Sequence, residues 1–395
     1  MLALVLAPAL ISCAGKDSTF SDPLLVQGNN EFALDLYQRL AASEKGNLFF
    51  SPYGISSALA MTYAGAAGET AAEMGRVLRF REPNDRLHEA FGKLIRSVDA
   101  AGKSGQGTLI TANSLWGQRG SGFEKDFLAV ARRRYGAGLQ EADFMANPET
   151  ARQAVNAWVE EATRGKIAEL IAPGGVNAQT SLVLAAAVYF KGVWASEFNK
   201  AETRDDAFKP GAGKEVRVPL MHQTAKFGYL ETPEFQVLEL PYKGGSLSMV
   251  VLLPADAAGL KALEGRLSEK ELTGWLGRLK ETKVEVYLPN FKTTSQFELG
   301  PALQSMGMKS AFGGGADFSG MDGRRDLHLS AAVHRAFVAV DEEGTEAAAA
   351  SAAVMTTQAV ESYPVFRADH PFLFLIRERT SGSVLFVGRL TNPRD

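Results

Sequence analysis

DEEGTEAAAASAA, residues 341–353, follows an alternating apolar run (Val333, Ala336, Val338, Val340) that reads as a strand. Three acids, a glycine and a series of tiny residues are an unusual way to leave a strand. Alanine and glutamate favour helix, so one reading is a helix capped near Gly344. The other is a loop that also fits inside a β-sheet. Successive strand residues face opposite sides. Counting from Thr345, one side carries Thr345, Ala347, Ala349, Ser351, Ala353, Met355 and Thr357. The opposite side carries Glu346, Ala348, Ala350, Ala352, Val354, Thr356 and Gln358. The first side is uncharged and mostly small, so it suits burial; the only charge falls on the second. Periodicity alone leaves both readings open.

Working outward, the chain reads as helices first and strands later. Apolar residues recur at helical spacing from Asn30 through Phe32, Ala33, Leu36, Tyr37 and Leu40. Ser51-Pro52 is a helix start with a capping hydroxyl and proline at the first position. Thr70 and Glu73 have the spacing of a capping box. Leu87, Phe91, Leu94, Ile95 and Val98 form another amphipathic run, and Asn147-Pro148 opens a helix that closes near Gly165. Strand patterns follow at 181–190, 216–230, 235–242, 247–254, 283–289, 331–341, 371–377 and 384–390. That order predicts segregated α+β packing rather than a βαβ series. Residues 345–365 fall in no element, and a structureless loop of roughly 20 residues is usually functional.

The 395 residues contain no Pro/Ser-rich linker, charge run or internal repeat, which favours a single large domain. A 46% hydrophobic content supplies a substantial core, and a net charge of −3 without a basic stripe gives nucleic-acid binding no electrostatic support. Enzyme signatures are absent: no GxSxG elbow, no HExxH and no phosphate loop ending in GK[ST]. His88, His222, His328, His334 and His370 have no partner at metal-ligand spacing and read as structural, so neither metal nor cofactor is expected. Gly313-Gly314-Gly315 reads as a flexible turn.

The opening MLALVLAPALISC is apolar but too short to span a bilayer, and it reads as an export signal over residues 1–13. Leu10-Ile11-Ser12-Cys13 resembles a bacterial lipoprotein box, with Cys13 lipidated and anchoring the chain to a membrane. Cys13 is the sole cysteine, which fits an exported chain without disulfides. No Lys or Arg precedes the run and Pro8 interrupts it, so a plain cleaved signal stays open. The expectation is an exported protein, either held at the cell envelope or secreted. Residues 14–29 read as a flexible segment and 30–395 as the folded domain.

Residues 341–353 resemble the hinge of the reactive-centre loop in serpins, and five further blocks agree. NLFFSPYGIS (47–56) resembles the start of the family's second helix, and LVLAAAVYFKGVW (182–194) the strand leading into its FKGxW turn. VPLMHQTAKFGY (218–229) and LELPYKGGSLSMVVLLP (238–254) are similar to central strands, and FRADHPFLFLIRERTSGSVLFVGRLTNP (366–393) to the C-terminal signature. The six blocks lie in family order, and the chain is identified as a member. The resemblance implies an α+β serpin fold of about nine helices and three β-sheets in one domain, with a reactive-centre loop at about 342–365.

It further implies a suicide inhibitor of serine proteases, and also of papain-like cysteine proteases, rather than an enzyme. The hinge would comprise Glu342, Glu343, Gly344, Thr345, Glu346, Ala347, Ala348, Ala349 and Ala350, and the scissile bond would join Gln358 and Ala359. After cleavage, 345–358 would insert between the strands at 181–190 and 331–341. No Lys or Arg lies between Gly344 and Phe366, so elastase-, subtilisin- or chymotrypsin-like partners are expected over trypsin-like ones. The protein is expected to be a monomer. Sheet opening would be controlled around Ser51, Ser56, Ala186, Trp194 and His334. Three positions depart from the family pattern: Gly54 replaces a serine, Ala186 an asparagine and Asn290 a lysine. Ala186 predicts that His334 lacks one hydrogen-bond partner, and the alternative is that Ser51, Ser56 or a buried water satisfies it instead. The alternative function is that of a non-inhibitory relative, a binding protein or chaperone, with bulky, charged or proline residues in its hinge; here Thr345 through Ala350 is small and uncharged apart from Glu346.

Overall fold

The computed structural model describes residues 22–104, 106–210, 214–343 and 362–395. Cys13, Gly344 to Ala350, Gln358 and Ala359 lie outside the described residues, as do the export signal and residues 14–21.

The N-terminal half carries α1 (Pro23–Ser43), β1 (Leu48–Phe50), α2 (Pro52–Tyr63), α3 (Gly68–Val77) and α4 (Asn84–Ser104). Then come β2 (Thr108–Gln118), α5 (Lys125–Tyr135), β3 (Leu139–Ala142), α6 (Pro148–Ala162) and β4 (Leu182–Lys191). The middle contributes β5 (Arg204–Phe208), β6 (Val216–Glu231), β7 (Phe235–Pro241), β8 (Leu247–Pro254), α7 (Leu260–Arg266) and α8 (Glu269–Leu276). It continues with β9 (Lys280–Pro289), β10 (Phe291–Glu298), α9 (Gly300–Ser305), α10 (Ser319–Asp322) and β11 (Leu329–Val340). The chain closes with β12 (Val365–Arg367), β13 (Phe372–Glu378) and β14 (Val384–Leu390).

All eight expected strands form, with ends shifted by at most three residues. The helix count among the described residues is ten, one more than expected. Two sheets form where three are expected. The five-stranded sheet runs β10-β11-β4-β2-β3, and the other strands join one nine-stranded sheet. The merger has a local cause. The sixteen-residue β6 pairs with β9 over residues 220–229 and with β7 over 228–231, so one long strand joins the two groups of strands.

Three sequence readings need correction. The folded domain starts at Pro23, not Asn30: Asp22 Oδ1 accepts from the Leu25 N–H at 3.1 Å, and Leu25, Val26 and Asn29 are buried. Segregation is incomplete, because β1, β2 and β3 lie among the early helices. Thr70 and Glu73 form no capping box. Thr70 Oγ1 accepts from Asp317 N–H, while Glu73 accepts from the N–H groups of Lys309 and Ser310, tying α3 to a distant loop.

The five-stranded sheet separates two apolar layers. Leu182, Leu184, Ala186, Val188 and Phe190 of β4 face the main core with α2, while Val183, Ala185 and Ala187 face a smaller cluster under α6. Burial on both faces explains the unbroken apolar run of β4. α2 starts at Ser51, whose Oγ accepts from the Gly54 N–H at 3.0 Å, with Pro52 at the first position. Its first turn lies beneath the middle of the sheet.

Candidate functional site

β4 and β11 are parallel neighbours, with Val183–Lys191 facing residues 331–339. A single row crosses the sheet at mid-height: Asn113 on β2 opposes Ala186, Ala186 opposes His334, and His334 opposes Phe297 on β10. His334 is wholly buried, and both its ring nitrogens are bonded. The Ser51 N–H lies 3.0 Å from Nε2, which must therefore accept. Nδ1 lies 2.9 Å from the Ala186 carbonyl, so that nitrogen carries the proton. The ring is neutral with a fixed tautomer. Burial holds its pKa down to about 3, outweighing the bond to Ala186, which favours protonation.

The expected missing partner of His334 is thus not missing: the backbone carbonyl of Ala186 fills the role. Ser56 does not join the cluster either, because its hydroxyl donates to Asn29 Oδ1 on α1 at 2.8 Å. The Ser51 hydroxyl donates to the Leu385 carbonyl on β14 at 2.8 Å. Ser51, Ala186 and His334 are brought together; Ser56 and Trp194 are not.

Trp194 sits at the upper end of the seam, where its indole N–H donates to the Asp341 carbonyl at 2.9 Å. Its ring stacks on Tyr242, with centroids 4.5 Å apart and planes at 12°. Gly192 makes this close packing available, since a Cβ there would lie 2.2 Å from the Tyr242 ring. The glycine and tryptophan of the FKGVW run are one packing unit.

Three acids after β11 are held individually. Asp341 pairs with Lys191 at 3.0 Å. Glu342 accepts from the Thr203 hydroxyl at 2.8 Å and the Asn290 amide at 3.0 Å. Glu343 lies between Lys200 at 2.6 Å and Lys191 at 3.4 Å. The Lys200 bond, followed by Lys191, holds its carboxyl below the usual range. Past the gap, the Pro364 carbonyl accepts from the Glu285 N–H at 2.9 Å, and β12 continues parallel to β9.

The chain matches the family described as serpin (serine protease inhibitor) over residues 27–393. The chain belongs to the serpin family. Leukocyte elastase inhibitor A of Rattus norvegicus is 42% identical, across 93% of this chain and 99% of its own. An uncharacterised serpin-like protein of Thermococcus kodakarensis is 41% identical, across 94% of this chain and 86% of its own. The crystal structure of uncleaved ovalbumin superposes with a TM-score of 0.87 at 31% identity, covering 93% of this chain and 100% of its own.

In this serpin the three departures have local explanations. A Cβ on Gly54 would meet Val188 Cγ2 at 2.8 Å, so the glycine fits the space. Ala186 uses its carbonyl where a side chain was expected. Asn290 still holds Glu342, by a hydrogen bond from its neutral amide instead of an ion pair. Sequence reading missed Asn113, Lys191, Lys200 and Thr203. Lys191 is the lysine of the FKGVW run itself and Lys200 lies six residues past Trp194, a usable signal; Asn113 had none, because β2 itself was not recognised.

Among the described residues, no group of His, Cys, Asp and Glu is arranged to hold a metal ion.

Proposed function

We propose that this serpin inhibits serine proteases by offering the loop at about 342–365 as bait and taking the cleaved part into the seam between β4 and β11. The observation that carries the reading is the polarity of that seam. The bait follows directly from the end of β11. A segment that turns back from there runs antiparallel to β11, and therefore also antiparallel to the parallel neighbour β4. One strand can thus pair with both sides in the more favourable ladder. The alternating small side of 345–357 supports its burial. Fourteen residues, 345–358, would extend roughly 46 Å at about 3.3 Å each. That carries an acyl-linked protease far from where it attacked, before deacylation ends. The insertion of a serpin loop into a sheet is a general example of strand addition, not specific to this chain.

Small and apolar residues around Gln358–Ala359 favour an elastase-, subtilisin- or chymotrypsin-like target. The printed name of the rat relative agrees with the first of these. A panel of proteases mixed with the full chain and run on denaturing gels tests this. A covalent complex with one of the three classes, plus release of a peptide starting near Ala359, is expected. Cleavage of the loop by every protease without any covalent complex would refute inhibition.

A further inference from the structure

We propose that Asn113 is a positioning residue for sheet opening, setting how fast β4 parts from β11; this rests on the insertion reading above. β2 and β4 are paired over residues 108–117 and 182–191, so they move as one body. α2 belongs to the other body. Ser51 at its start is bonded through N–H to His334 on β11 and through Oγ to Leu385 on β14. Opening the seam therefore shears β2 and β4 across the first turn of α2. At the level of the buried row, two side-chain hydrogen bonds join the bodies. One is His334 Nδ1–H to the Ala186 carbonyl, and the other is the Asn113 amide to the Gly54 carbonyl at 3.0 Å.

The second bond is the one placed on the sliding surface. Asn113 faces α2 from the position opposite Ala186, within hydrogen-bond reach of the Gly54 carbonyl. The amide is retained although its Oδ1 is buried with no hydrogen-bond partner among the described residues. An apolar side chain would avoid that desolvation cost, so the bond that Nδ2 makes to Gly54 is what the site gains from asparagine. Once β2 has slid past Gly54 the bond is gone. Its loss is felt by the closed sheet and not by the filled one.

A labelled synthetic peptide copying residues 345–358 measures this with the full chain. Uptake rate and unfolding midpoint are followed for the native protein, Asn113→Ala and Asn113→Leu, the last keeping the volume should the alanine variant fold poorly. Uptake roughly two- to tenfold faster than native is expected, the range set by one net hydrogen bond. The midpoint should fall in the empty form and stay unchanged in the peptide-filled form. Equal uptake rates, or an equal fall of both midpoints, would overturn the assignment and mark Asn113 as merely structural, while uptake by the native protein would leave the insertion reading standing. If the native protein neither takes up peptide nor gains stability after loop cleavage, both readings fall together.

Discussion

His334 is the residue whose chemistry has the clearest consequence for the whole protein. In the unfolded chain an imidazole binds its proton near pH 6.5, whereas burial delays this to about 3 in the fold. Between those values the unfolded state holds more protons, so stability is lost as pH falls. His88, held down to about 4 chiefly by burial, acts with the same sign. His370 acts oppositely: burial works against its charge, but Asp369 at 2.8 Å and the Pro254 carbonyl raise its pKa, so its contribution fades as pH rises. Between pH 7.5 and 5, His334 should remove about 2 kcal/mol of stability. Denaturant midpoints at both pH values check this, and His334→Gln should flatten the slope by that amount. An unaltered slope would place the titrating group elsewhere. At this scale the sequence was only partly legible. Ser51 and His334 were readable as types in a known pattern. The partners that satisfy His334 are a backbone N–H and a backbone carbonyl, which carry no residue signature.

Among elements, the seam depends on what its neighbours can accept. Thr345 begins the small, uncharged side of the bait, the side assigned to burial. Thr345→Arg would place a long cation there, and an unpaired buried charge is costly enough to stall insertion. The variant should be cut at the same bond yet release active protease, turning an inhibitor into a substrate; residual protease activity against added serpin measures this. Full inhibition by Thr345→Arg would show that this side is never buried. Strand recognition failed where burial was two-sided but the residues were polar. β2 packs Leu109 and Leu115 toward the main core and Ala112 and Trp116 toward α6, so it shows no alternation. Its buried Ser114 and half-buried Asn113 add to the polar appearance. β4, also two-sided but wholly apolar, was plain to read. At α1 the signal was present and unused: Asp22-Pro23 is a capping residue followed by proline at the first position.

For the molecule as a whole, the proposed insertion requires the uncleaved arrangement to be held away from a more stable one. A strand added between two neighbours forms on the order of ten backbone hydrogen bonds, each about 0.5–1.5 kcal/mol net, and buries side chains besides. That exceeds the typical net worth of the exposed ion pairs around Glu343, about 0–1 kcal/mol each. On that proposal the hinge contacts do not decide the direction of change, and the closed state persists for kinetic reasons. The six blocks that identify the family are spread along the chain, which is why the fold was legible overall. The merged sheet was not, since it depends on which neighbours one long strand pairs with along its length. The most direct test is hydrogen exchange on residues 345–358 before and after a protease that is not trapped cuts near Gln358–Ala359. Uptake into the seam predicts fast exchange before cleavage, strong protection afterwards, and a large rise in the unfolding temperature. Equally fast exchange in both forms, with no gain in unfolding temperature, would contradict it.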